Sequence, residues 1–202
     1  MKNICVFCGS SSGFSDGYSE NARRLGKILV REQFSLVYGG GSVGLMGVLA
    51  DAVLADGGKV TGVIPHFLVE KEVDHKGITK MITVDSMHER KQKMAEMSDA
   101  FIAMPGGLGT FEELFEILTW SQLGLLEKPV GLLNVNGFYN ELVSMLDKMV
   151  NEGFLQSENR EMLLIDTTPE GLILKIKNYK PVQKIMLVAP SVHLETTQVG
   201  RR

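Results

Sequence analysis

Short, continuous apolar runs alternate along this chain with longer segments whose apolar positions recur every three or four residues. The runs are Ile4-Cys5-Val6-Phe7, then residues 35–38, 59–64, 80–84, 100–104, 129–133 and 163–165. Each has the length of a strand. Their lack of polar alternation is the pattern of strands covered on both faces. Between them, residues 18–31, 44–55, 87–97, 111–123, 139–150 and 169–177 carry helical periodicity. In the first of these, Ala22, Leu25, Ile28 and Leu29 share one face. Residues 65–79 form a charged loop. No internal repeat is visible. Strands that alternate with helices predict an α/β fold: a doubly wound parallel sheet with helices on both faces, in a single domain. That domain spans residues 1–180, and residues 181–202 form a C-terminal tail or arm. Within the tail, Ile185-Met186-Leu187-Val188 has the pattern of a further strand or a packed segment.

In open sheets of this kind, ligands bind beyond the carboxyl ends of the strands. Three Gly-rich turns directly follow predicted strands, at residues 9–13, 39–44 and 106–109. All three are therefore expected on one edge of the sheet, and together they mark the pocket. The third turn, within Pro105-Gly106-Gly107-Leu108-Gly109-Thr110-Phe111-Glu112-Glu113, precedes a helix. Backbone N–H groups and a helix dipole can hold a phosphate there, and two carboxylates are expected in the helix's first turn. The second turn, Gly39-Gly40-Gly41-Ser42-Val43-Gly44, matches G-x-G-x-x-G. It follows the second strand rather than the first, and Lys59 stands where an acid would hold a dinucleotide's ribose. Tight-turn packing and a contact to some other nucleotide both fit it better.

Composition narrows the function classes. A formal net charge of -3 gives no basic footprint for nucleic acid. No apolar run has the length of a membrane span, and the chain enters its first strand at once, so neither a membrane protein nor a targeting segment is expected. Cys5 and Cys8 are the only cysteines. Their spacing suggests redox or metal chemistry, but no second pair completes a site. Strand packing, with the two side chains on opposite faces, accounts for them. A cytoplasmic protein is consistent with this. The four histidines have no ligand spacing, and no metal is expected.

Two charged groups stand out. Arg90 shares a helix face with Met87 and Met94, which directs it inward. An inward arginine needs an anion, and a structural carboxylate, a substrate phosphate or a catalytic acid would each serve. Glu112 and Glu113 could simply complement a helix dipole. Adjacent helical positions point about 100° apart, so only one of them can face a pocket, and periodicity does not choose between them.

The sequence Pro105–Glu113 fits P-G-G-x-G-T-x-x-E, and Met87 with Arg90-Lys91 fits M-x-x-R-K. Together these motifs resemble the Lonely Guy (LOG) family of cytokinin riboside 5'-monophosphate phosphoribohydrolases, often labelled lysine decarboxylases. The segments Val6–Ser11, which includes Ser10, and Tyr38–Gly47, which includes Gly40 and Gly41, are similar to the family as well. The resemblance covers roughly residues 1–178. It implies a Rossmann-like homodimer that cleaves the N-glycosidic bond of an adenosine 5'-monophosphate, giving free base and ribose 5-phosphate. It also implies Arg90 and Glu113 as the catalytic pair, and Gly106, Gly107, Gly109 and Thr110 as the phosphate-holding turn. Lys91, Glu112, Glu72, Ser10, Gly40 and Gly41 follow as further substrate contacts. The partner expected is a small nucleotide, AMP or an N6-substituted AMP, and no cofactor is needed. A non-catalytic nucleotide carrier on the same fold is the alternative, separated from the enzyme by the Arg90 and Glu113 pair. No pyridoxal-phosphate context surrounds any lysine.

Overall fold

A computed structural model of the protein describes residues 1–69 and 74–181. Seven strands form one parallel sheet: β1 (Asn3–Phe7), β2 (Ser35–Tyr38), β3 (Val60–Pro65), β4 (Lys80–Val84), β5 (Ala100–Ala103), β6 (Val130–Leu133) and β7 (Leu163–Asp166), in the order β4-β3-β2-β1-β5-β6-β7. The helices are α1 (Asp16–Arg31), α2 (Gly44–Ala55), α3 (His66–Val69), α4 (Met87–Met97), α5 (Leu108–Gln122), α6 (Asn140–Asn151), α7 (Ser157–Glu161) and α8 (Pro169–Lys177).

Strand pleating sorts the core into two layers. Ile4, Val6 and Cys8 face a layer built with α1, α2 and α8, where Leu25, Leu49 and Ile173 pack. Cys5 and Phe7 face the opposite layer, with Met94 of α4, Ile117 of α5 and Leu146 of α6. The two cysteines thus lie on opposite faces, and both are free thiols. The central strands β1 and β5 are almost wholly buried. The edge strand β4, which has only β3 beside it in the sheet, is largely not.

The chain winds outward from β1 to β4, then crosses back to place β5 beside β1. The strand order therefore reverses between β1 and β5, which opens a crevice at their carboxyl ends. The three glycine turns meet there. The Gly9 N–H donates to the Pro105 carbonyl at 3.1 Å, and the Leu45 N–H donates to the Gly9 carbonyl at 3.0 Å.

Several boundaries differ from those expected. The helix after β5 begins at Leu108, not at residue 111, because the glycine-containing segment 108–110 is its first turn. Glu112 and Glu113 consequently lie in the second turn, beyond the main reach of the helix dipole. The short helix α3 was read as loop and α7 was given no assignment, since four or five residues are too few to show periodicity. The run 185–188 and Glu72 lie outside the described residues.

Gly44 joins a left-handed backbone to close packing between two of the glycine turns. Its φ is +61°, and a Cβ there would lie 2.3 Å from the Ser10 carbonyl carbon. Gly44→Ala is expected to lower stability by about 2 kcal/mol or more, since backbone strain and a backbone clash add. Urea denaturation measures this, and an unchanged midpoint would contradict the packing described.

Candidate active site

A cavity of about 210 Å3 opens at the crevice, walled by residues that include Cys8, Ser10, Gly39, Arg90, Gly107 and Glu113. The turn after β5 forms one side. Gly106 is packed so closely that a Cβ would lie 2.1 Å from the Thr110 hydroxyl oxygen and 2.9 Å from the Gly9 nitrogen. Gly107 and Gly109 are the reverse, with no atom within 4 Å of where a Cβ would stand. Gly107 caps α5 without any side-chain hydrogen bond. The N–H groups of this first turn have no partners within the helix. A bare backbone, outward N–H groups and the positive end of a helix dipole suit an anion.

Arg90 comes from α4. That helix starts firmly: the Ser86 hydroxyl accepts from the Glu89 N–H at 3.1 Å, and the Glu89 carboxylate accepts from the Asp85 N–H at 2.8 Å. One turn in, the Arg90 side chain is 6% exposed. Its Nε donates to the Val63 carbonyl of β3 at 3.0 Å, and its Nη2 donates to the Gly39 carbonyl at the end of β2 at 2.9 Å. Nη1 lies against Met87 Sδ at 3.7 Å. Gly39 is required for this seat, because a Cβ there would stand 2.2 Å from Nη2. Two strand ends therefore aim the guanidinium fork at the cavity.

The structure separates the two glutamates that periodicity left equal. Glu113 lines the cavity. Glu112 is exposed and pairs with Lys91, whose ammonium also meets Glu116 at 3.0 Å. Lys91 and Glu112 are thus outside the cavity wall, each occupied by the other. Glu113 also acts on the neighbouring thiols. Burial, and then the negative charge of Glu113, hold the Cys8 thiol far above the ordinary value; burial and Glu113 do the same at Cys5, partly opposed by Ser98 and Arg90. Cys8 accordingly meets the cavity as a neutral thiol, not as a nucleophilic thiolate.

Of the other expected contacts, Ser10, Gly107, Gly109 and Thr110 line the cavity, and Gly106 supports it from behind. Gly40 and Gly41 do not line it. They turn toward β3, β4 and the segment that follows residue 73: the His75 N–H donates to the Gly40 carbonyl, and Gly41 bridges Asp74. Gly39 takes the place expected of them. Its signal in the sequence was its position directly after β2, ahead of the tighter turn. Cys8 was read as strand packing, although it stands past the carboxyl end of β1, where ligand-facing residues fall. Among the described residues, no group of three or more His, Cys, Asp and Glu side chains could hold a metal ion.

Residues 46–176 match a family model described as "Possible lysine decarboxylase". The chain is 49% identical over 182 residues to the cytokinin riboside 5'-monophosphate phosphoribohydrolase LOG5 of Arabidopsis thaliana, covering 90% of this chain and 80% of that protein. It is 47% identical over 200 residues to LOG1 of the same plant, covering 99% and 93% of the two chains. Among solved structures, the molybdenum cofactor carrier protein of Chlamydomonas reinhardtii superposes with a TM-score of 0.66 at 21% identity, over 87% of this chain and 96% of that one. That likeness is one of fold alone. The near-full-length identity to LOG5 and LOG1 goes further, and it covers both α4, which carries Arg90, and α5, which carries Glu113: the chain belongs to the LOG family of cytokinin riboside 5'-monophosphate phosphoribohydrolases.

Proposed function

We propose that this protein hydrolyses the N-glycosidic bond of N6-substituted adenosine 5'-monophosphates, and of AMP itself, releasing the base and ribose 5-phosphate. The observation that carries this reading is the meeting of Arg90 from α4 and Glu113 from α5 in one cavity, beside an open helix N-terminus. The relatives named above are enzymes of this type.

The 5'-phosphate sits against the first turn of α5, where the N–H groups of Gly107, Leu108, Gly109 and Thr110 meet its oxygens. Arg90 supplies positive charge near the same end of the substrate. Cleavage breaks the bond between the anomeric carbon and the base nitrogen. The bonding pair leaves with the base, which takes up a proton, and positive charge develops on the ribose. The Glu113 carboxylate stabilises that charge and accepts a proton from the water that attacks the anomeric carbon. The burial that keeps Arg90 from water strengthens each of these interactions.

The same reading makes the protein a cytoplasmic homodimer. Its free cysteines suit a reducing compartment. An apolar hollow of about 240 Å3 on α5 and α6, walled by Phe115, Leu118, Leu146 and Met149, is a surface that a second copy would cover.

Two outcomes are expected. Glu113→Gln keeps the shape of the side chain but removes its charge and basicity, and should lower kcat on N6-isopentenyladenosine 5'-monophosphate at least about a hundredfold with little change in melting temperature. Wild-type turnover in this variant would refute the assignment. Adenosine lacks the phosphate and its charge-assisted hydrogen bonds, so its kcat/KM should fall below that of AMP by on the order of a hundredfold or more. Equal values for nucleoside and nucleotide would remove the phosphate role from the turn.

A further inference from the structure

The Tyr139 side chain, at the start of α6, grips the glycine turn after β5 at both ends. It is 1% exposed. Its hydroxyl donates to the Met104 carbonyl at 2.6 Å, at the residue just before the turn. Its ring packs against the ring of Phe111, just past the turn, with 5.6 Å between centroids. The next carbonyl along, that of Pro105, accepts from the Gly9 N–H at 3.1 Å. Two successive carbonyls are thus fixed directly ahead of Gly106 and Gly107, by partners from two different elements. Tyr139 is itself held. The buried Asn134 accepts from the Tyr139 N–H through Oδ1 at 2.7 Å and donates through Nδ2 to the Asn140 side-chain oxygen at 2.9 Å. Phe138 meets the Tyr139 ring edge-on at 4.8 Å.

We propose that Tyr139 is a positioning residue for phosphate recognition: by holding Met104 and Phe111 it sets the shape of the turn between them, and so the direction of the N–H groups of Gly107 to Thr110. The effect on turnover rests on the hydrolase reading. Tyr139 is absent from the cavity wall, so it acts through the turn and not on the substrate. Burial, and after it the neighbouring Cys8, push the phenol's pKa far above its ordinary value, which keeps the hydroxyl a donor across the physiological range. The turn needs outside support because Gly106, Gly107 and Gly109 leave its backbone free to take many conformations. Met104 is wholly buried, so loss of the hydroxyl leaves its carbonyl short of a donor in the interior and favours a shifted turn. A shift of about 1 Å at a binding or catalytic group can cost on the order of a hundredfold in rate.

The test compares the wild type with Tyr139→Phe, with 4-aminophenylalanine placed at position 139, and with Tyr38→Phe. Tyr139→Phe keeps the ring on Phe111, and with it the place of Glu113, but releases Met104. The amino analogue restores a donor. Tyr38 is as deeply buried as Tyr139, and its hydroxyl has no hydrogen-bond partner among the described residues, so Tyr38→Phe controls for loss of a buried hydroxyl. In Tyr139→Phe, the affinity for ribose 5-phosphate by calorimetry and kcat/KM for AMP should each fall about tenfold, while kcat/KM for adenosine stays within about threefold. The amino analogue should recover most of both losses, and Tyr38→Phe should match the wild type. A general loosening of the fold would instead lower AMP and adenosine turnover alike. Unchanged ribose 5-phosphate affinity in Tyr139→Phe, equal losses for AMP and adenosine, or no recovery with the amino analogue would each overturn the proposal. If Tyr139→Phe does not fold, the amino analogue decides: affinity near the wild type upholds the proposal, and lost affinity overturns it. A wild type that binds ribose 5-phosphate without hydrolysing either substrate would refute the hydrolase reading and leave the affinities to decide the role of Tyr139.

Discussion

A guanidinium withdrawn from water, held by the carbonyl ends of two neighbouring strands, is the constraint around which this site is built. Burying a charge costs several kcal/mol unless its donors are satisfied and its charge is met. The Val63 and Gly39 carbonyls take two of the Arg90 donors. They are neutral, so they orient the fork without cancelling its charge. Negative charge must come from elsewhere in the cavity, and Glu113 stands in its wall. The remaining demand is one that an anionic ligand would meet. This requirement explains why Gly39 cannot carry a side chain, and why α4 begins with a reciprocal cap that fixes the direction of its first turn.

The sheet topology does the rest. Because the strand order reverses between β1 and β5, a crevice opens at their carboxyl ends. The turns after β1, β2 and β5 are drawn together there by the Gly9–Pro105 and Gly9–Leu45 backbone hydrogen bonds. The open N-terminal end of α5, the guanidinium of α4 and the carboxylate of Glu113 then converge without any long loop. The molybdenum cofactor carrier shows that this scaffold also occurs in a protein of another kind. What distinguishes one use of such a fold from another is the set of side chains at this edge.

Much of this was legible in the chain itself. Uninterrupted apolar runs gave the strands, and three glycine turns after three of them located the edge where the cavity opens. What escaped notice did so for physical reasons. The first turn of α5 looked like loop because Gly109 is a poor helix former, so the helix began three residues earlier than expected and its acids fell in the second turn. Glu112 and Glu113 could not be ranked by periodicity, because the decision depends on Lys91, a residue of another helix that takes one of them. Gly40 and Gly41 matched a motif, but Gly39 is the one that meets the cavity, since strand β2 ends beneath Arg90. Lys91 belonged to the motif, yet its partners proved to be carboxylates. Pattern found the elements, while contacts between elements far apart in sequence decided which side chains meet the cavity.

The most direct measurement is the fate of oxygen from water during turnover of N6-isopentenyladenosine 5'-monophosphate. In water enriched in oxygen-18, one labelled oxygen should enter the sugar of ribose 5-phosphate, at the anomeric position, for each molecule of free base formed. Label appearing instead in inorganic phosphate, with the nucleoside as co-product, would show that the phosphate ester is the bond broken and would contradict the account.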